Sequence, residues 1–177
     1  MSEQAASTKI EIEAQDGMSL HQLGPYDAQA YFDLIDADRE HLSQFGDGTA
    51  IKYPSVDTVR ESIVNPEYPT KLRFGIWQGG AMVGSINLSP DTGANSAEVG
   101  YWIGKPYIGY GYARKATEAL IEYVFEVTDL EVLYAEVAVG NEASRKTLER
   151  AGFQLKDVGK HWYFELTRPS NTNRLAP

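Results

Sequence analysis

Along the chain the spacing of apolar residues changes period several times, and each change marks an element. Lys9 to Glu13 alternates polar and apolar, Gln15-Asp16-Gly17 carries turn chemistry, and Met18 to Leu23 alternates again, which predicts a β-hairpin. After Gly24-Pro25 the period lengthens: Ala28, Tyr31, Phe32, Leu34 and Ile35 recur at helix spacing, and the pattern reaches toward Leu42. Phe45 to Pro54 holds Gly46, Gly48 and Pro54 and reads as a loop. Behind it, Ser55 or Asp57 caps a short helix carrying Val59 and Ile63, and the two segments together have the makings of a mobile flap. Leu72 to Trp77 and Met82 to Leu88 form a second hairpin around Gly79-Gly80, and Ala97 to Ile103 is the next strand. Helical spacing returns in Ala113, Ala116, Leu120, Ile121, Val124 and Phe125. Glu131 to Val139 alternates as a strand, Asn141 to Arg150 is a short helix stopped at Gly152, and Phe153 to Leu155 and Trp162 to Thr167 close as strands. Pro169 to Pro177 is polar and is expected to fray. The order β-β-α-α-β-β-β-α-β-α-β-β has no internal repeat. It predicts an α/β fold: a single mixed, mostly antiparallel central sheet flanked by helices.

A length of 177 residues fits one domain, with its core over about residues 9 to 168. No apolar run approaches the roughly 18 residues that cross a bilayer, and Met1-Ser2-Glu3-Gln4 does not begin a basic, apolar leader, so a cytoplasmic protein without a membrane partner is expected. The absence of cysteine excludes disulfides, thiolate zinc sites and a cysteine nucleophile. A net charge of -9 argues against nucleic acid, which requires a basic surface, and favours cationic ligands such as amines, although it also serves solubility. His21, His41 and His161 lie far apart without metal-ligand spacing, so no metal is predicted.

The most informative stretch runs from Tyr101 to Lys115: a strand, a turn containing Gly104, Gly109 and Gly111, and a helix start. The first amides of a helix have no intrahelical partners and lie at the positive end of its dipole, so they cradle a phosphate where small residues admit it. Gly109, Gly111 and Ala113 supply that access, and Arg114 and Lys115 add local positive charge. The plainer reading is a glycine turn kept for tight strand-to-helix packing. No Gly-Lys-Ser/Thr ending makes this a P-loop, and Arg114 stands where the dinucleotide fingerprint needs its third glycine.

With these residues the chain resembles the GNAT superfamily of acetyltransferases, whose acetyl-CoA motif runs Gln/Arg-x-x-Gly-x-Gly/Ala. Ile108-Gly109-Tyr110-Gly111-Tyr112-Ala113 matches its last glycine and small residue, with Ile108 in place of the usual Gln or Arg. Asn141-Glu142-Ala143-Ser144 followed by Ala151-Gly152-Phe153 looks like the second family signature. Asp38-Arg39-Glu40-His41-Leu42, Val83-Gly84-Ser85-Ile86 and Ala97-Glu98-Val99-Gly100-Tyr101-Trp102 are similar to the RimJ/RimL-type branch, and the likeness extends from about Met18 to Thr167. Many members of the superfamily carry an acid tyrosine seven residues after the asparagine. That position is Leu148 here, and Ser144 is the RimL-like substitute.

The resemblance implies acetyl-CoA as cosubstrate and direct attack by a primary amine: a protein N-terminus, a polyamine, an antibiotic or another small amine. It implies cofactor contacts from Trp102, Ile103, Ile108, Gly109, Tyr110, Gly111, Tyr112, Ala113, Arg114, Asn141 and Ser144. The backbone amide of Trp102 or Ile103 would polarise the acetyl carbonyl where this strand splays from its neighbour. Glu98 is the first candidate for general base, against a role as a solvated strand residue, and Glu40 and Glu136 follow. Ser144 would protonate the departing sulfur, or serve only as a cap, and Asn141 would bind the pantetheine arm or act as an N-cap. Tyr31, Phe45, Tyr53 and Trp77 would border the acceptor pocket or lie in the core. Two other classes stay open: an acyl-CoA-binding or regulatory module without turnover, motivated by Ile108 and Leu148, and a nucleotide-binding protein. The reading also leaves room for a homodimer.

Overall fold

The two glycine-containing hairpin turns form where the spacing places them, and they start the sheet. In the computed structural model, which describes residues 9–170, β1 (Glu11–Glu13) pairs antiparallel with β2 (Met18–Gln22) across a turn that holds Asp16 and Gly17 at φ 60° and 72°. β3 (Leu72–Gln78) and β4 (Ala81–Pro90) join through Gly79 and Gly80 at φ 57° and 81°, the left-handed pair that a two-residue hairpin turn requires. β5 (Ser96–Ile103) follows, then a long helix, then β6 (Val132–Ala138), β7 (Gln154–Val158) and β8 (His161–Thr167). The eight strands lie in the order β1-β2-β3-β4-β5-β6-β8-β7. Only β5 and β6 run parallel, and a parallel pair requires a crossover, which α5 (Tyr112–Val127) supplies. The sheet is therefore mixed and mostly antiparallel, as the order of elements predicts.

Helices cover both faces. On one face Phe74, Ile76, Val83, Ile86, Leu88 and Val99 bury against Ala116, Leu120 and Val124 of α5 and Leu148 of α6 (Glu142–Arg150). On the other, α1 (Ala28–Asp36), α2 (Arg39–Ser43), α3 (Thr49–Lys52) and α4 (Val56–Val64) contribute Tyr31, Ile35, Leu42, Tyr53 and Val59 to a second core that includes Trp77 and Trp102. Strand alternation divides β5 between them: Ala97, Val99 and Tyr101 pack toward α5, whereas Trp102, and with it Glu98 and Gly100, faces the α1–α4 side.

Two local expectations differ from the structure. The helical spacing toward Leu42 is interrupted because Asp38 leaves the helical region (φ -157°, ψ 75°), accepts the His41 amide at 2.9 Å and caps a separate α2. The segment read as a loop over Phe45 to Pro54 contains the single turn α3. Most of the tail expected to fray, residues 171–177, lies outside the described residues. Among the described residues no helix is long and apolar enough to cross a membrane.

Candidate active site

The site starts where two neighbouring strands part. β5 and β6 pair only at Ser96↔Val132, Ala97↔Leu133 and Glu98↔Tyr134, although β5 continues to Ile103 and β6 to Ala138. Each strand keeps its other partner to the end: β4 stays with β5 up to Ile103, and β8 with β6 up to Ala138. The two therefore diverge and leave a wedge. The Gly104 amide donates to the Val83 carbonyl and the Asp91 amide to the Ser96 carbonyl, both at 2.9 Å, and the β4–β5 register between them is unbroken. Backbone direction alternates along a strand, so Glu98, Gly100 and Trp102 spend their amides on β4, whereas Tyr101 and Ile103 turn theirs toward the wedge. Of the two amides expected to hold a carbonyl, that of Ile103 faces the gap. The Trp102 amide is turned instead toward Ser85, its partner on β4.

A cleft of about 660 Å³ opens at this wedge on the α1–α4 side, lined by Glu98, Gly100 and Trp102 of β5, Ala135 to Ala138 of β6, and Asn141 and Ser144 at the start of α6. Gly100 keeps its floor low, since a Cβ there would meet the Asn87 side-chain nitrogen at 2.9 Å. Tyr31, Phe45 and Tyr53 border the cleft. Trp77 does not: it stacks on His21 with ring centroids 5.9 Å apart, at the far end of β3.

Glu98 is half-buried, and its carboxyl is held above the ordinary range chiefly by desolvation, with nearby Lys71 opposing the shift and Glu136 and Asp91 adding to it. Glu136 also lines the cleft but is exposed, 3.9 Å from His161. Glu40 is exposed on α2, outside the cleft lining. Deeper in the wedge, the Tyr101 hydroxyl lies 2.9 Å from Ser144 Oγ and 3.2 Å from the Ser144 carbonyl. Burial pushes the Tyr101 phenol up to about 12, so it stays protonated and can donate to Ser144 at any physiological pH. Asn141 is the N-cap of α6, its side-chain oxygen accepting the Ser144 amide at 3.2 Å. The Ser144 hydroxyl itself is not a cap; it belongs to the tyrosine pair. Leu148 is fully buried in the main core and brings no acid to the cleft.

β5 leads from this cleft to the glycine loop. Gly109 and Gly111 take φ of 88° and 77°, a region that side-chain-bearing residues rarely adopt, and a Cβ built on either meets nothing within 4 Å. Gly111 is the N-cap of α5, and the first backbone bond in that helix is Lys115 N–H to Gly111 carbonyl at 3.1 Å. The amides of Tyr112, Ala113 and Arg114 thus precede the intrahelical ladder, at an open, positive helix end that fits a pyrophosphate. Exposed Ile108 and Tyr110 flank the loop, and Tyr110 stacks on Tyr112 at 5.6 Å. The two basic residues differ. Lys115 is tied to Asp16 at 2.7 Å and largely buried, whereas Arg114 is half-exposed and only loosely paired with Glu118 at 3.3 Å.

The sequence reading named neither Lys71 nor Arg73, which also line the cleft, and gave no role to Tyr101. Lys71-Leu72-Arg73 does carry a signal, because two cations at i and i+2 share one strand face.

The Acetyltransferase (GNAT) domain model matches residues 18–154. A Bacillus subtilis (strain 168) protein named "Putative ribosomal N-acetyltransferase YdaF" is 33% identical over 146 residues, which cover 77% of each chain. A solved "Probable acetyltransferase" superposes with a TM-score of 0.78 at 29% identity, covering 90% of this chain and 97% of its own. Mycobacterium smegmatis RimJ, solved with CoA-disulfide, shares the fold with a TM-score of 0.74 at 22% identity, over 90% of this chain and 86% of RimJ. The chain therefore belongs to the GNAT acetyltransferase family and is an N-acetyltransferase.

Proposed function

We propose that the protein uses acetyl-CoA to acetylate a primary amine bound in the cleft, by direct attack and without a covalent enzyme intermediate. Acetyl-CoA supplies the activated thioester. The observation that carries the reading is the wedge between β5 and β6: it joins a half-buried carboxylate, a free strand amide and a hydroxyl pair to an anion-binding helix end.

In this scheme the loop amides from Gly109 to Arg114, with the Arg114 side chain, hold the pyrophosphate. Ile108 sits where the family carries Gln or Arg, so its contribution is backbone and apolar contact. The Ile103 amide donates to the acetyl carbonyl as negative charge develops on its oxygen. Glu98, ionised and on the cleft face, takes the proton from the attacking nitrogen. Ser144 hydrogen-bonds the sulfur as the carbon–sulfur bond breaks and the carbon–nitrogen bond forms, the departing thiolate taking its proton from solvent, and Tyr101 orients Ser144 and donates to its oxygen. Among amine classes a protein N-terminus is favoured, in keeping with the ribosomal N-acetyltransferase named above.

The test is incubation with acetyl-CoA and a panel of N-terminal peptides and small amines, reading free thiol and acetylated product by mass. Thiol release that tracks acetylated peptide is the expected result. Acetyl-CoA binding without product on any amine would instead assign the chain as an acyl-CoA-binding module. Thermal stabilisation by ATP or NAD but not by coenzyme A would assign a nucleotide-binding protein.

A further inference from the structure

Two cations in the cleft make no ion pair. Among the described residues, the lysines and arginines without a carboxylate oxygen within 4.0 Å are Lys71, Arg73, Lys146, Arg150, Lys156 and Lys160. The last four are exposed and solvated, whereas Lys71 and Arg73 are partly buried and line the cleft together. The chain carries 25 acidic residues against 16 basic ones, so partners were available, yet among the described residues no carboxylate comes within 4.0 Å of either. A half-buried cation without a contacting partner loses hydration for little Coulombic return: Lys71 feels Glu98, but less than it feels burial and Arg73, an arrangement that suits a site whose anion arrives with the ligand.

Arg73 is also held in place. Its Nη1 donates to Ser62 Oγ at 3.0 Å, its guanidinium lies 5.4 Å from the Tyr31 ring centroid and 5.5 Å from that of Tyr53, and its Nη2 is buried with no partner. A guanidinium so restrained, with one N–H edge unmet, is set up for carboxylate recognition once the fork turns outward. Lys71 stands beside it, its ammonium pushed below the ordinary range by burial and by Arg73, with Glu98 opposing the shift from outside ion-pair distance. The sheet register places Arg73, Asn87 and Gly100 in one row across β3, β4 and β5, with Glu98 two residues from Gly100 on the same face. Two strand spacings are about 10 Å, so the amine site and the cation pair lie within about three extended residues of each other.

From this geometry we infer that Lys71 and Arg73 form a carboxylate subsite that selects acceptor peptides bearing an acidic side chain within three residues of the reacting amine. The inference rests on the amine acetylation proposed above and adds the acceptor's chemistry to it.

The test compares matched peptides beginning Ala-Asp, Ala-Asn and Ala-Lys, together with free aspartate and glutamate, using the full chain and acetyl-CoA. The expected result is a kcat/KM for Ala-Asp about tenfold or more above Ala-Asn, with Ala-Lys lowest and the free amino acids below the peptide. Lys71→Gln and Arg73→Gln should each shrink the Asp-to-Asn ratio severalfold. The ratio within one variant is unaffected by its folded fraction, and Lys71→Gln serves if Arg73→Gln folds poorly. Equal rates for Ala-Asp and Ala-Asn would overturn the subsite while leaving the acetyltransferase reading intact. Faster turnover of free aspartate or glutamate would overturn the peptide assignment, and acetylation of no amine at all would overturn both readings.

Discussion

The two ends of β5 are built differently. At its C-terminal end the glycine loop works chiefly through backbone: left-handed Gly109 and Gly111 leave amides exposed at the start of α5, and of the two adjacent cations Lys115 is already tied to Asp16, leaving Arg114 for the ligand. At its cleft end the chemistry is carried by side chains gathered from separate elements: Glu98 and Tyr101 from β5, Ser144 from α6, Lys71 and Arg73 from β3 and its entry. A backbone site depends on local conformation and should fail as a unit when that conformation is blocked. A side-chain site should lose function group by group, each loss with its own pH or kinetic signature.

The largest expected effect is Gly111→Val. Nothing in the protein occupies the space a Cβ would take, so the side chain projects into the anion site, and φ of 77° strains a β-branched residue there. Affinity for coenzyme A should fall by about 100-fold or more, read by calorimetry, in a protein that still melts cooperatively. Full retention of affinity would place the phosphates elsewhere and remove the contrast between the two ends.

Glu98→Gln comes next. Turnover should fall about 100-fold near neutral pH and recover in part as pH rises and free amine accumulates, with acetyl-CoA binding unchanged. Its effect on stability should be opposite in sign to its effect on turnover. Because burial raises the folded-state pKa above its ordinary value, this carboxyl contributes stability at low pH, and that contribution is lost as pH climbs through the raised value. Once ionised the half-buried group is a cost, so above the raised value the Gln variant should melt at or above the parent temperature. A lower melting temperature at pH 7 together with parental turnover would make Glu98 a structural residue.

Ser144→Ala should lower kcat by about tenfold or more while leaving the KM for acetyl-CoA nearly unchanged, since its hydroxyl acts on the departing sulfur. Tyr101→Phe should give a smaller loss and, because it acts through Ser144, should add little once Ser144 is Ala. It also removes a partly buried hydrogen bond worth about 1 kcal/mol. The activities of the four proteins in that cycle measure the coupling directly. Independent, additive losses would separate Tyr101 from the action of Ser144.

The smallest effect belongs to Asn141→Ala, which removes the cap on the Ser144 amide and should cost about 1 kcal/mol of stability. If acetyl-CoA affinity falls tenfold as well, Asn141 contacts the pantetheine arm in addition to capping.

The elements of the fold were legible because each hydrophobic period reports a local fact. Alternation in Ala97 to Ile103 and three-to-four spacing in Ala113 to Phe125 require only the geometry of one strand and one helix. The glycine loop was legible for the same reason, since positive φ and an uncapped helix start are properties of consecutive residues. The break at Asp38 was not: its cap to His41 and its 2.8 Å ion pair with Lys105, 67 positions away, compete with continued helix, and spacing alone does not register a partner so far along the chain.

The cleft depended on tertiary structure throughout. Composition and order specified one mixed sheet with helices on both faces, but only the pairing of β5 with β4 and of β6 with β8 decided that the parallel contact ends at Glu98. That ending turns the Ile103 amide to the wedge, brings Tyr101 against Ser144 across 43 residues of sequence, and leaves Trp77 stacked on His21 away from the cleft. Lys71 and Arg73 became informative only once the carboxylates of the described residues had been placed, because an unpaired charge is defined by what fails to come near it. Local conformation follows from neighbours in sequence, and it fixed the backbone half of the site. Which side chains meet, and which are left without partners, follows from neighbours in space.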